Sequence, residues 1–197
     1  MKDKVMGRKV LAMKKVLLTS SGFENIRILK VFVDLLENKG MSEVRALFIP
    51  TAAVDSEAIA VLPKCMNDLL YAGIPADRIT VFDLHCSMTQ EELCQYDVIY
   101  FTGGDPRYLL QRINDTGFNK VIPGYLDQGG VYVGVSAGSW VATKNLPNGL
   151  GLVNCTLDVH MQVGTKNGPV DLSQCPHVQL TSNNMLVLKG DKCSIVE

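Results

Sequence analysis

Gly130-Val131-Tyr132-Val133-Gly134-Val135-Ser136-Ala137-Gly138 is the stretch that decides the fold. Its first half is an almost unbroken apolar, β-branched run, as in a strand buried on both faces. From Ala137 to Thr143 the pattern turns helical. A strand that passes within one residue into a helix is a unit of an α/β sheet, in which crossover helices join parallel strands.

The same alternation continues toward the amino terminus. Lys15–Ser20, Val44–Pro50, Ile79–Leu84 and Tyr96–Thr102 read as strands. Asn25–Asn38 carries Ile26, Leu29, Val33 and Leu36 at helical spacing and is closed by Lys39-Gly40. Ser56–Ala72 reads as one helix with a kink or break at Pro63. Thr89–Cys94 is a short helix whose Thr89 and Glu92 form a capping box. Arg107–Asn114 and Gly117–Gln128 follow as helices, the second despite Pro123. Beyond Asn145 the helical signal stops. Leu152–His160, His177–Thr181, Met185–Lys189 and Cys193–Val196 read as short strands, and Thr165–Gln174 as a loop. The expected fold is a doubly wound, mostly parallel α/β sheet with helices on both faces, flavodoxin-like, with a strand-rich C-terminal part.

The 197 residues suit one domain, with 1–13 as an N-terminal extension and 14–197 as the domain. A formal charge of −1 gives no field that would gather nucleic acid or an anionic membrane. No apolar run approaches the roughly 18 residues of a bilayer span. The run after Lys15 is only Val16-Leu17-Leu18, too short for a secretory signal. The six cysteines form no C-x-x-C pair and no zinc spacing, so reduced, mostly buried thiols in a cytoplasmic protein are expected. Neither metal nor organic cofactor is expected. A homodimer is compatible with the sequence.

The chemistry gathers at strand ends. Gly134-Val135-Ser136-Ala137-Gly138 matches G-x-S-x-G, the nucleophile elbow, in which small neighbours let a serine sit on a strained strand–helix turn. Gly103-Gly104-Asp105 ends another strand, where a Gly-Gly turn admits substrate close to the backbone. Gly104 and Ala137 are thus candidate oxyanion donors, with Gly103 and Asp105 beside the substrate. A serine nucleophile needs a base, and the histidines are His85, His160 and His177. His85 and His160 are equally open on this reading.

These motifs, with Gly149-Leu150-Gly151-Leu152-Val153 and the downstream Asp158-Val159-His160, resemble the peptidase E family. The resemblance extends from about Lys14 to Glu197. It implies a serine peptidase on a fold similar to class I glutamine amidotransferases. It maps the nucleophile onto Ser136, the base onto His160 and the oxyanion hole onto Gly104 and Ala137. It also implies short peptide substrates, among them dipeptides with N-terminal aspartate, for which Arg107 is the candidate cation. Where the family places an acid before a Leu-Pro or Met-Pro, this chain has Asn145 in Lys144-Asn145-Leu146-Pro147. The third member of the catalytic set is therefore open between Asn145 and Asp158, which shares a strand face with His160. The missing acid also admits a catalytically impaired homologue that binds or regulates. A cyanophycinase-like amide hydrolase acting on β-linked aspartyl polymers is a further alternative.

Overall fold

The computed structural model describes residues 13–37 and 39–197. Strands β1 (Lys15–Thr19), β2 (Ala46–Ile49), β3 (Ile79–Val81), β4 (Val98–Phe101) and β5 (Val131–Val135) are all parallel, in the order β3-β2-β4-β5-β1. Every residue of β1, β2, β4 and β5 is buried, as continuous apolar runs require when helices cover both faces.

The helices are α1 (Ile26–Leu35), α2 (Ser56–Ala60), α3 (Leu62–Tyr71), α4 (Gln90–Leu93), α5 (Pro106–Asp115), α6 (Phe118–Asp127) and α7 (Ala137–Val141). Two apolar clusters divide the core between the faces of the sheet. One packs Leu18, Ile49, Phe101 and Tyr132 beneath α5, α6 and α7. The other packs Leu17, Phe48, Tyr100 and Val133 beneath α1 and α3.

The C-terminal part is a run of short strands: β6 (Thr156–Asp158), β7 (Gly168–Pro169), β8 (His177–Gln179), β9 (Met185–Lys189) and β10 (Lys192–Val196). Strands β9, β10 and β7 extend the main sheet beyond β1 in antiparallel fashion, while β6 and β8 pair separately.

Some expectations shift. The single helix over Ser56–Ala72 is two helices joined at Val61, and Pro63 lies in the first turn of α3. There its missing N–H costs nothing, and its ring avoids the carbonyl one turn back. The stretch Thr165–Gln174 is not all loop: it supplies β7 and a 3₁₀ turn at Leu172–Gln174. Helix α1 stops at Leu35, short of the end expected at Asn38, which itself falls outside the described residues together with positions 1–12 of the expected 1–13 extension. The Thr89 capping box is present in both directions. All six cysteines are free, with Cys86 and Cys175 exposed.

Candidate active site

Strands β4, β5 and β1 are neighbours, so their carboxyl ends bring Gly103-Gly104, Ser136 and Ser20 together. The Ser136 N–H donates to the Thr19 carbonyl at 3.0 Å, and the Gly138 N–H to the Thr102 carbonyl at 3.2 Å. A Cβ on Gly134 would lie 2.6 Å from the Gly138 backbone, and one on Gly138 would lie 2.6 Å from the Phe101 carbonyl oxygen. The elbow therefore closes only with glycine on either side. The wholly buried Ser139 hydroxyl donates toward the carbonyls of Thr19 and Gly134, each at 2.7 Å, and accepts the Thr19 N–H at 3.1 Å. It stitches α7 to the ends of β1 and β5.

Ser136 itself has φ 49° and ψ −102°, a conformation that L side chains seldom adopt. It precedes α7 at the N-cap position, yet its side chain makes no capping bond. Its hydroxyl instead lies 2.9 Å from His160 Nε2. His160 also has positive φ, 59°. It is held from behind by buried Ser20, whose Oγ accepts the His160 backbone N–H at 2.7 Å and lies 3.2 Å from Nδ1. With Nδ1–H donating to Ser20 Oγ, Nε2 is left with a lone pair facing the Ser136 hydroxyl, as a general base requires. Ser20 was not singled out in the sequence beyond its place at the end of the first strand. The rule that places sites at the carboxyl ends of parallel strands was the signal that could have found it.

Neither open choice for the third member reaches His160. The Asn145 amide is spent on Leu157, accepting its N–H at 2.7 Å and donating to its carbonyl at 2.6 Å. Asp158 pairs with His177 Nε2 at 3.2 Å. Although Asp158 and His160 alternate as on a strand, β6 ends at Asp158 and the positive φ of His160 turns its ring elsewhere. His85 contacts Asp83 at 3.3 Å on an exposed surface.

Gly104, at φ 134°, packs so tightly that a Cβ there would fall 1.9 Å from the Ala52 carbonyl oxygen. Its N–H donates to no group among the described residues. Ala137 opens α7, so its N–H has no helical partner. Gly103 faces Ser136, its position for a Cβ being 3.3 Å from Ser136 Cβ. Asp105, expected beside substrate, is instead the N-cap of α5. Its carboxylate accepts the N–H groups of Arg107 at 2.8 Å and Tyr108 at 3.1 Å. Neither Asp105 nor Arg107 lines a pocket at Ser136.

Two pockets meet at Ser136. One, of about 350 Å³, is lined by His160, Ser20 and Cys65 and carries Glu24, Glu57 and Lys64. Lys64 is ion-paired with Glu24. The other, of about 210 Å³, is walled by Pro106, Ala137, Trp140 and Val159. Burial pushes the Cys65 thiol up to about 11, so it stays protonated at neutral pH and does not compete with Ser136. Below it, burial raises Asp68 to about 6, against the hydrogen bonds it accepts from Tyr100 Oη at 2.5 Å and the Phe23 N–H at 3.0 Å.

A serine on a strained strand–helix turn, hydrogen-bonded to a histidine above the carboxyl ends of a parallel sheet, defines a serine hydrolase. The chain belongs to peptidase family S51, whose profile matches residues 16–185. It is 28% identical over 134 residues to the uncharacterized peptidase PM1590 of Pasteurella multocida, covering 68% of this chain and 62% of that one. It is 27% identical over 169 residues to the uncharacterized peptidase Lmo0363 of Listeria monocytogenes, covering 86% and 80%. The fold matches a Listeria monocytogenes EGD-e crystal structure provisionally assigned to peptidase E, with TM-score 0.71 and 22% identity, over 94% of this chain and 99% of that one. It also matches a peptidase from an acI-B1 Actinobacterium, with TM-score 0.64 and 19% identity, over 93% and 87%. Among the described residues, no helix is long and apolar enough to cross a membrane.

Proposed function

We propose that the protein hydrolyses short peptides through an acyl-enzyme on Ser136. The observation that carries this reading is the 2.9 Å contact between Ser136 Oγ and His160 Nε2. Ser136 Oγ attacks the peptide carbonyl carbon as its proton passes to His160 Nε2. The unspent N–H groups of Gly104 and Ala137 take the oxyanion. Collapse of the tetrahedral intermediate breaks the C–N bond, and His160 returns the proton to the leaving amine. Water then repeats the sequence at the ester and frees Ser136.

Ser20 completes the set in place of an acid. A hydroxyl can fix the imidazole tautomer and orientation, but it lacks the charge by which a carboxylate stabilises the imidazolium. Slower turnover than in a carboxylate triad is the expected consequence. Preference for N-terminal aspartate would need a cation free to face substrate. Lys64 is the cation that lines a pocket at Ser136, and Glu24 already neutralises it. The six free thiols fit a reducing compartment, and we place the enzyme in the cytoplasm.

The test is a panel of dipeptides and aminoacyl-anilides, N-terminal aspartyl substrates included, with wild type and Ser136→Ala in parallel. Turnover that vanishes in the variant is the expected result. A folded wild type that turns over nothing would favour a binding or regulatory role. Turnover confined to β-linked aspartyl substrates would favour the cyanophycinase-like reading.

A further inference from the structure

The two pockets at Ser136 differ in chemistry, and His160 tells them apart. It lines the pocket that holds Glu24, Glu57 and Lys64, and it is absent from the walls of the other. In an acyl transfer the histidine hands its proton to the departing group, so the leaving group must lie on the histidine's side. The acyl half then falls on the other side of Ser136. That side is walled by Gly104 and Ala137, the proposed oxyanion donors, and closed by Pro106, Trp140 and Val159. Apart from Ser136 and the buried, unpartnered Trp140 indole N–H, these walls are apolar or backbone, and no charged side chain reaches them.

We propose that the pocket of Pro106, Trp140 and Val159 is the acyl subsite and that it selects an apolar residue on the carbonyl side of the scissile bond. This inference rests on the Ser136 acyl-enzyme. With the Gly104 and Ala137 N–H groups taken by the scissile carbonyl, a carboxylate placed there would lose its hydration and meet no cation. An aliphatic or aromatic side chain would instead exchange water for the indole and the valine. At about 210 Å³ the pocket takes one side chain and no more of the peptide.

Activated esters test the subsite apart from peptide specificity. With p-nitrophenyl acetate, butyrate and hydrogen succinate, Ser136 Oγ bonds to the acyl carbon, p-nitrophenolate leaves, the serine proton passes through His160 to solvent, and water releases the acid. The Ser136-dependent kcat/KM should rise about tenfold from acetate to butyrate, for two buried methylenes, and succinate should be the poorest. Trp140→Ala should flatten the series. Should that variant fail to fold, the half-buried Val159 offers a second one: Val159→Lys should raise succinate above butyrate. A Ser136-dependent series that is flat in chain length, or that favours succinate in the wild type, overturns the subsite and leaves the nucleophile standing. Ester turnover that is indifferent to Ser136→Ala overturns both.

Discussion

Ser136 occupies a backbone conformation that glycine would hold at lower energy. Its φ of 49° is strained for an L residue, and its side chain supplies no capping bond whose loss would offset relief of that strain. Ser136→Gly should therefore be about 1 kcal/mol more stable than Ser136→Ala, both variants having lost acylation and the His160 hydrogen bond. Denaturant melts of the two variants check this, and an equal or lower midpoint for Ser136→Gly would show that the elbow carries no strain. Ser20 makes its contribution through His160. Ser20→Ala removes the acceptor for both Nδ1–H and the His160 backbone N–H. We expect kcat to fall about tenfold, the equivalent of one hydrogen bond of about 1.4 kcal/mol, with KM little changed. A larger rise in KM than fall in kcat would assign Ser20 to substrate binding instead.

At the scale of elements, the site depends on turns that leave β4 and β5 with no room to spare. Gly104→Ala would drive a Cβ into the Ala52 carbonyl at a φ of 134°, and the turn would have to move. Its N–H would move with it. Loss of an oxyanion donor costs roughly 100-fold or more in kcat, and steady-state kinetics should show that loss in a protein that still folds. The elbow was legible in the sequence because its requirement is local: an apolar strand, small residues and a helix, all within nine positions. The capping box at Thr89 was legible for the same reason. Strand β7 was not, because two residues, Gly168 and Pro169, are too few to show any alternation. They become a strand only by pairing with Ser194 and Ile195. The partner of His160 was hidden for a related reason. Ser20 is 140 positions away, at the end of β1 beside β5, and meets His160 only because the turn after β6 carries the ring back over these strand ends. Asn145 was a triad candidate only through the family resemblance, and its amide serves the Leu157 backbone.

At the scale of the whole molecule, buried Asp68 joins α3 to β4 through Tyr100 and to the turn after β1 through Phe23. Its pKa is about 6 in the fold, against roughly 4 in an unfolded chain. The folded state thus binds the proton more tightly, and this group's stabilising contribution is fully present below pH 4. It is lost as pH rises through about 6, a change of about 3 kcal/mol at most. Wild type minus Asp68→Asn, measured by denaturant melts between pH 4 and 7, should show stability falling with pH over that window. A flat difference would mean that Asp68 titrates like an exposed carboxylate. The turn that Asp68 anchors is the one that presents Ser20 to His160, so the same core that stabilises the sheet also sets the geometry of the site.

Everything proposed for the site depends on Ser136 being a nucleophile activated by His160. A fluorophosphonate probe followed by intact-mass and peptide mapping tests it most directly, because it needs no knowledge of the substrate. One adduct per chain on Ser136 is expected, with none in Ser136→Ala and labelling slowed at least 100-fold in His160→Ala. A folded wild type that stays unlabelled, or that labels at another residue, would contradict it.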